Sequence, residues 1–393
     1  MKNVYESVAA GGLDVHSKFT TVTMRNSQGQ VVRHERLDHR DRARLREVLS
    51  RWPKDAPMVM EASFGWGWLA DLMKELGLRP ELCNCYKLEH FRESHGLVKT
   101  NKKDADLLSL LPFEKDGWWK VWLSPPAVRD VRERMRHRSS LVEVQTETKN
   151  RISALFHRHG IMHDFSDLFG VAGRRFLGEL CRDGRAGEVV LLPGALGALK
   201  GLVEMLDFVR SQLARIAGEL RRELERSPAI RRLDGIPGIG LILAHTVLAE
   251  IGQIGRFRSH RALARYCLLA PLSDDTGEDD GSKPKGRHLG QRGNRTLKWA
   301  LIEAARGAVR AGGKWRRIFD GVTDGGRNNL NRGYIKVARE LVKVVFVVLS
   351  REVEYTDTPP ERPGLSARGR MEKFFGSTRS GTGQPLHPMA VVR

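Results

Sequence analysis

Apolar positions in the first third of the chain come in short runs, and their spacing changes from run to run. Ala10-Gly11-Gly12-Leu13-Asp14-Val15 reads as a buried strand that ends by presenting a carboxylate; its glycines let backbone or ligand approach closely. Residues 19–24 are rich in β-branched side chains, residues 26–29 form a turn, and residues 30–34 resume the strand pattern, which together predict a three-stranded meander. Leu45 and Leu49 at i, i+4 predict a helix over residues 42–52. A short apolar strand at 57–62 ends on Glu61, a helix at 66–76 stops at Gly77, a fifth strand runs over 80–86, and a helix at 101–111 halts before Pro112.

The period then lengthens. Leu202, Leu206, Val209, Leu213, Ile216 and Leu220 repeat at alternating spacings of four and three, a coiled-coil seam. It fits either a helical hairpin within the chain or a dimerisation arm. A strongly basic helix around 128–156 carries a poorer version of the pattern, and the Gly-rich stretch 164–194 between them reads as irregular. Further on, Leu233-Asp-Gly-Ile-Pro-Gly-Ile-Gly-Leu241 has the form of a helix–hairpin–helix turn, with Gly238 and Gly240 offering backbone N–H groups to a phosphate. Helices are expected up to 251, from Ser259 to 269, over 295–309 and over 335–349. After 355 the apolar period ends, and a disordered basic tail is expected over 356–393. The fold class is therefore α/β plus all-α, with boundaries near 124, 225 and 355.

Charge narrows the class. The 393-residue chain carries a net charge of +20, so polyanions, and nucleic acid by default, are its natural partners. No basic amphipathic helix with an aromatic face argues for a membrane surface, no apolar run is long enough to span a bilayer, and the N-terminus does not read as a signal peptide. Cys83, Cys85, Cys181 and Cys267 lack a second pair at zinc spacing, which suggests packed thiols in a reducing, cytoplasmic compartment.

Chemistry enters with the carboxylates. If the strands ending in Asp14 and Glu61 are parallel neighbours, those side chains lie side by side, and the helix at 101–111 brings Asp104 over them. Two carboxylates about 4 Å apart repel by roughly 4 kcal/mol at an effective dielectric of 20, so such a cluster needs a cation or a proton. Hard oxygen donors favour Mg²⁺ or Mn²⁺, and paired ions clamp the attacking and leaving oxygens of a phosphodiester. The long loop after residue 270 is acidic first and basic later. Lys283, Lys285, Arg287, Arg292 and Arg295 are candidate phosphate contacts, with His288 in the same run. His16 and Lys18 flank Asp14 and are candidates for orienting substrate.

Gly12-Leu-Asp-Val-His-Ser17, Met60-Glu-Ala-Ser63 and Lys99-Thr-Asn-Lys-Lys-Asp-Ala105 resemble the N-terminal half of the DEDD-type insertion-sequence transposases. Ile236-Pro-Gly-Ile-Gly240, Tyr266-Cys-Leu-Leu-Ala-Pro271, Asp275-Thr-Gly-Glu278 and Arg292-Gly-Asn-Arg-Thr-Leu297 resemble the C-terminal half of the same family, which is similar to pilin-gene-inverting recombinases and includes bridge-RNA-guided recombinases. The resemblance implies a ribonuclease H-like (RuvC-like) catalytic domain over 1–124, a coiled-coil region over 125–225 and a transposase domain over 226–355. It also implies DNA as substrate, a structured guide RNA and a homo-oligomer with composite active sites. Two positions depart from the family pattern. Asn101 stands where the first carboxylate of an i, i+3 pair belongs, with Asp104 as the second; Asp106, about 200° round the helix, does not replace it. Thr276 stands where the family places a serine nucleophile before a glycine; its hydroxyl is secondary and more hindered, and Ser273 and Ser282 share the loop. The rival functions are a metal-dependent junction nuclease that uses water, and an inactive nucleic-acid-binding relative.

Overall fold

The computed structural model describes residues 5–94, 101–115, 117–270 and 293–357, with Ser94, Asn101 and Lys102 described in backbone only. The chain begins with the meander: β1 (Ala10–Val15), β2 (Phe19–Arg25) and β3 (Val31–Asp38), paired antiparallel. It continues through α1 (Arg42–Ser50), β4 (Pro57–Glu61), α2 (Trp66–Glu75), β5 (Arg79–Cys83), α3 (Cys85–Ser94), α4 (Asn101–Leu110) and the short β6 (Lys120–Val121). These strands form one sheet in the order β3-β2-β1-β4-β5-β6, in which β4 is parallel to both β1 and β5.

Alternation along the strands sends side chains to two different layers. Leu13, Met58, Met60 and Leu82 point to the face covered by Leu45 and Leu49 of α1 and Leu69 and Met73 of α2. Val59 and Cys83 point to the other face, where they meet Leu88 of α3 and Leu107 and Leu108 of α4. Gly12 lies on this second face. A Cβ there would sit 2.2 Å from the Ala105 carbonyl oxygen and 2.3 Å from the Ser109 nitrogen, so only glycine lets α4 lie directly on β1. Arg25 of β2 ties the helix down by donating to Ser109 Oγ at 2.7 Å.

The remainder of the chain is almost wholly helical. α5 (Pro126–Arg158) and α7 (Pro193–Arg226) pack along each other, with α6 (Val171–Asp183) and the two-stranded hairpin β7 (Arg185–Ala186) and β8 (Val189–Val190) between them in sequence. The 164–194 stretch is thus not irregular: Leu177 and Leu180 of α6 share a buried cluster with Ile152, Leu155, Leu199 and Leu206. The seam on α7 is buried within the chain, Leu206 and Val209 near its middle and Ile216 and Leu220 toward its end, so its contacts are those of a helical hairpin. α8 (Pro228–Asp234), α9 (Leu241–Ile251), α10 (His260–Tyr266), α11 (Arg295–Ala311), α12 (Gly313–Thr323) and α13 (Leu330–Arg351) build a last bundle around Leu233, Val247, Leu301, Trp315, Val337 and Leu341. α12 was not expected from the apolar period.

One strand assignment is corrected. The fifth strand stops at Cys83, and Cys85 opens α3, with Asn84 Oδ1 accepting from the Lys87 nitrogen at 3.1 Å. Asn84 caps a helix here, which outweighs the apolar pattern of residues 80–86. The tail expected to be disordered beyond residue 357 lies outside the described residues.

Candidate active site

The two strand-end carboxylates are placed by register. β1 and β4 run parallel with Leu13 opposite Met60, so the next rung pairs Asp14 with Glu61. Asp14 is two residues beyond Gly12 and Glu61 two beyond Val59; both therefore share the face on which α4 lies. Asp14 Oδ2 is 2.9 Å from His16 Nε2. At Glu61 the neighbours are thiols. The Cys85 thiol is pushed up to about 11 by burial and by the adjacent Glu61 carboxylate, to which it donates. Cys83 is pushed up to about 12, mainly by burial. Burial thus disfavours the thiolate form of both.

α4 carries Asp104 on the same side of the sheet, 8% exposed. Its Oδ1 lies 3.0 Å from Arg92 Nη2 of α3, but without hydrogen-bond geometry, and that oxygen is buried with no hydrogen bond. Asp106, on the other side of the helix, faces Arg25 and His34 at 3.9 Å each, which removes it from the site as the helical angle requires. Asn101 opens α4, but its side chain is outside the described residues.

A three-ligand group of Asp14, Glu61 and Asp104 is not closed here. Among the described residues, no three His, Cys, Asp or Glu side chains gather closely enough to hold an ion. Asp104 instead has the buried Arg92 guanidinium beside it, which supplies a compensating positive charge. The donor set still suits a hard divalent ion, with two carboxylates on one rung of adjacent strands and a third whose buried oxygen lacks a hydrogen bond. Arg92 was not foreseen from the sequence, because the expected strand over 80–86 took in only the first two residues of α3 and residues 87–94 were given no element.

A second cluster lies among the described residues that flank 271–292. Asn294 is the pivot: its nitrogen donates to the Tyr266 carbonyl at 2.8 Å, which joins the start of α11 to the end of α10. Its Oδ1 caps α11 by accepting from Leu297, and its Nδ2 donates to Glu250 Oε2 at 2.7 Å and Tyr266 Oη at 3.1 Å. Glu250 is 1% exposed and also receives Arg136 at 3.2 Å, with Arg132 at 3.7 Å. Both arginines come from α5, so the cluster is braced against the helix that leaves the sheet. Trp122 completes the brace by filling the space beside Gly252, under the Arg256 guanidinium. The Tyr266 and Arg292-Gly-Asn294 motifs were the sequence signal for this cluster; their meeting point, Glu250, had none.

The other expected contacts fall as follows. Gly238 adopts φ +86° and presses on α11, where a Cβ would meet the Ala304 oxygen at 2.1 Å; its glycine serves this core contact. Gly240 is open and caps α9 without a side-chain partner. Arg295 is exposed at the start of α11. Thr276, Ser273, Ser282, Lys283, Lys285, Arg287, His288 and Arg292 lie outside the described residues.

Comparison with known proteins agrees with the motifs. A DEDD-type IS110 transposase family model matches residues 11–160, and the transposase IS116/IS110/IS902 family model matches residues 230–320. The chain is 28% identical to a probable family 20 transposase of Pseudomonas aeruginosa, over 85% of this chain and 94% of that protein. It is 23% identical to the transposase for insertion sequence element IS1111A of Coxiella burnetii, over 76% of this chain and 79% of that protein. A transposase for insertion sequence element IS1328 of Yersinia enterocolitica is 24% identical, over 75% of this chain and 82% of that protein. Among the described residues no helix is long and apolar enough to cross a membrane.

Proposed function

Because the chain belongs to the DEDD-type insertion-sequence transposases, enzymes that cut and join DNA, we propose that Asp14 and Glu61 are the core of its catalytic centre and that Thr276 supplies the nucleophile. The observation that carries this reading is the register of β1 and β4, which sets both carboxylates on one rung under α4. The sheet order β3-β2-β1-β4-β5 supports a ribonuclease H-like catalytic domain.

Transposases of this type are generally metal-dependent. Asp14 and Glu61 would hold a divalent ion, Mg²⁺ or Mn²⁺, with Asp104 as the third donor when its carboxylate leaves Arg92. When bound, that ion supplies charge neutralisation at the scissile phosphate. The residues do the rest. His16, hydrogen-bonded to Asp14, fixes the orientation of that carboxylate. Arg92 balances the charge of Asp104 in the absence of substrate. The Thr276 hydroxyl attacks phosphorus and its oxygen becomes the bridge to one DNA end; the displaced strand leaves as a 3′ or 5′ hydroxyl, taking up a proton. The Glu250–Asn294 brace joins the elements that flank the segment carrying Thr276.

The same reading includes a structured guide RNA and a homo-oligomer whose sites are completed between subunits. The test is covalent trapping on nicked DNA from the termini of the parent element. A protein–DNA adduct is expected with the unaltered chain and with T276S, and none with T276A or D14A. Cutting without any adduct would instead favour water as nucleophile.

A further inference from the structure

Four arginines follow one another at every second position on α5, and three of them are answered. Arg132 and Arg136 pair with Glu250, and Arg134 pairs with Glu223. Arg138 has no ion pair and no hydrogen bond among the described residues, and its Nε is buried. A half-buried guanidinium without an anion is costly, because it has lost water and gained nothing.

No described residue fills the space beside Arg138. A cavity of about 390 Å³ opens there between α5 and the first turn of α11, lined by Arg138, Ser139, Glu143, Arg295, Thr296 and Trp299. Trp299 is 45% exposed, and no other tryptophan among the described residues is exposed. An indole left partly in water next to two guanidinium groups and two hydroxyls is a poor core contact and a good stacking platform. The volume lies in the range of small-molecule sites, roughly 300–1,000 Å³.

We propose that this cavity binds one unpaired nucleotide of a nucleic-acid strand, its base stacked on Trp299 and its phosphate held by Arg138 and Arg295. The nucleotide supplies the anion that Arg138 lacks, and Ser139 and Thr296 line the pocket as further hydrogen-bonding groups. Glu143, exposed at the edge, repels a second phosphate and can accept from a base N–H. A duplex keeps its bases paired and stacked, so the pocket discriminates unpaired strands. The inference rests on the nucleic-acid reading of the chain, and it deepens that reading by locating one contact.

The test uses the full chain and labelled single strands about ten nucleotides long, one all-thymidine DNA and one all-uridine RNA, with a duplex DNA of equal length as control. W299A is expected to weaken single-strand binding by about tenfold and W299F to restore most of it. Duplex binding should stay unchanged. R138Q should lower the slope of log affinity against log salt by about one. A strand of abasic phosphodiester units should bind W299A and the unaltered chain equally. The arm with the larger W299A effect assigns the pocket to DNA or to RNA. Single-strand binding by the unaltered chain that is insensitive to both W299A and R138Q overturns the pocket. Failure of the unaltered chain to bind any of the probes overturns the nucleic-acid reading itself.

Discussion

Asp104 and Glu250 are both buried carboxylates, yet they are answered in different ways. Glu250 receives an amide at 2.7 Å and is flanked by two arginines from another helix. Asp104 has a single guanidinium at 3.0 Å, and the oxygen facing it makes no hydrogen bond. A carboxylate whose lone pairs are filled by the protein is part of the scaffold; removing it strands its partners. One with an unfilled oxygen, on the helix that covers the sheet face carrying Asp14 and Glu61, retains capacity for a ligand. The contrast separates the brace of this molecule from its chemistry.

The sharpest way to break the comparison is at the brace. Glu250→Ala takes away the carboxylate that accepts from Arg136 and from Asn294 Nδ2 and is expected to cost about 4 kcal/mol of stability, read by denaturant unfolding. A loss below about 1 kcal/mol would mean that the cluster is not structural. At the strand ends the effect should move from stability to rate. Asp14→Asn is expected to slow DNA cutting by about 10²–10³-fold while the melting temperature holds, by analogy with loss of one strong electrostatic contact in a transition state. Gly12→Ala tests the seat of α4. Its Cβ meets backbone rather than a movable side chain, so about 2–3 kcal/mol of destabilisation is expected, with loss of cutting as α4 shifts. Arg92→Ala should act in the opposite sense on ligand binding: with its cation removed, Asp104 is released to the site. Mn²⁺ affinity, followed by calorimetry, should rise by about fivefold, roughly 1 kcal/mol. Unchanged affinity would detach Asp104 from the proposed donor set.

The smallest effect concerns pH. Burial holds the His245 imidazole below its ordinary value of 6.5, and its Nδ1 donates to the Leu241 carbonyl at 2.7 Å. His39 is lowered by burial in the same way. Each folded-state value lies below the unfolded one, so the unfolded chain takes up protons first as pH falls. The stability due to the neutral rings is present above about pH 6.5 and is lost on acidification. The drop in melting temperature between about pH 8 and pH 5.5 should be smaller in H245Q than in the unaltered chain. An equal drop would remove His245 as a source of that loss.

Much of the scaffold was legible before any coordinates, because its determinants are local. The β-branched run at 19–24, the turn at 26–29 and the apolar period of α7 each announce an element through near neighbours. Two kinds of feature escaped. Where a cap competed with an apolar pattern, as at Asn84 before Cys85, the pattern carried the strand two residues too far; the rest of α3, with Arg92, has no clear apolar period and was given no element. Gly238 was legible as a glycine the turn requires, but its reason was not: the demand comes from α11, far along the chain.

By itself the amino-acid order determined that this chain is a basic, mixed α/β and helical protein with acids at two strand ends and a family's motifs in sequence. Partner choice was decided only by tertiary structure. Which residue stands beside Asp104, which arginine of α5 goes unanswered and where Glu250 meets Asn294 all depend on contacts between residues remote in the chain. Periodicity carries information over a turn or a strand; electrostatic partnership is set by packing across helices, and no local pattern encodes it.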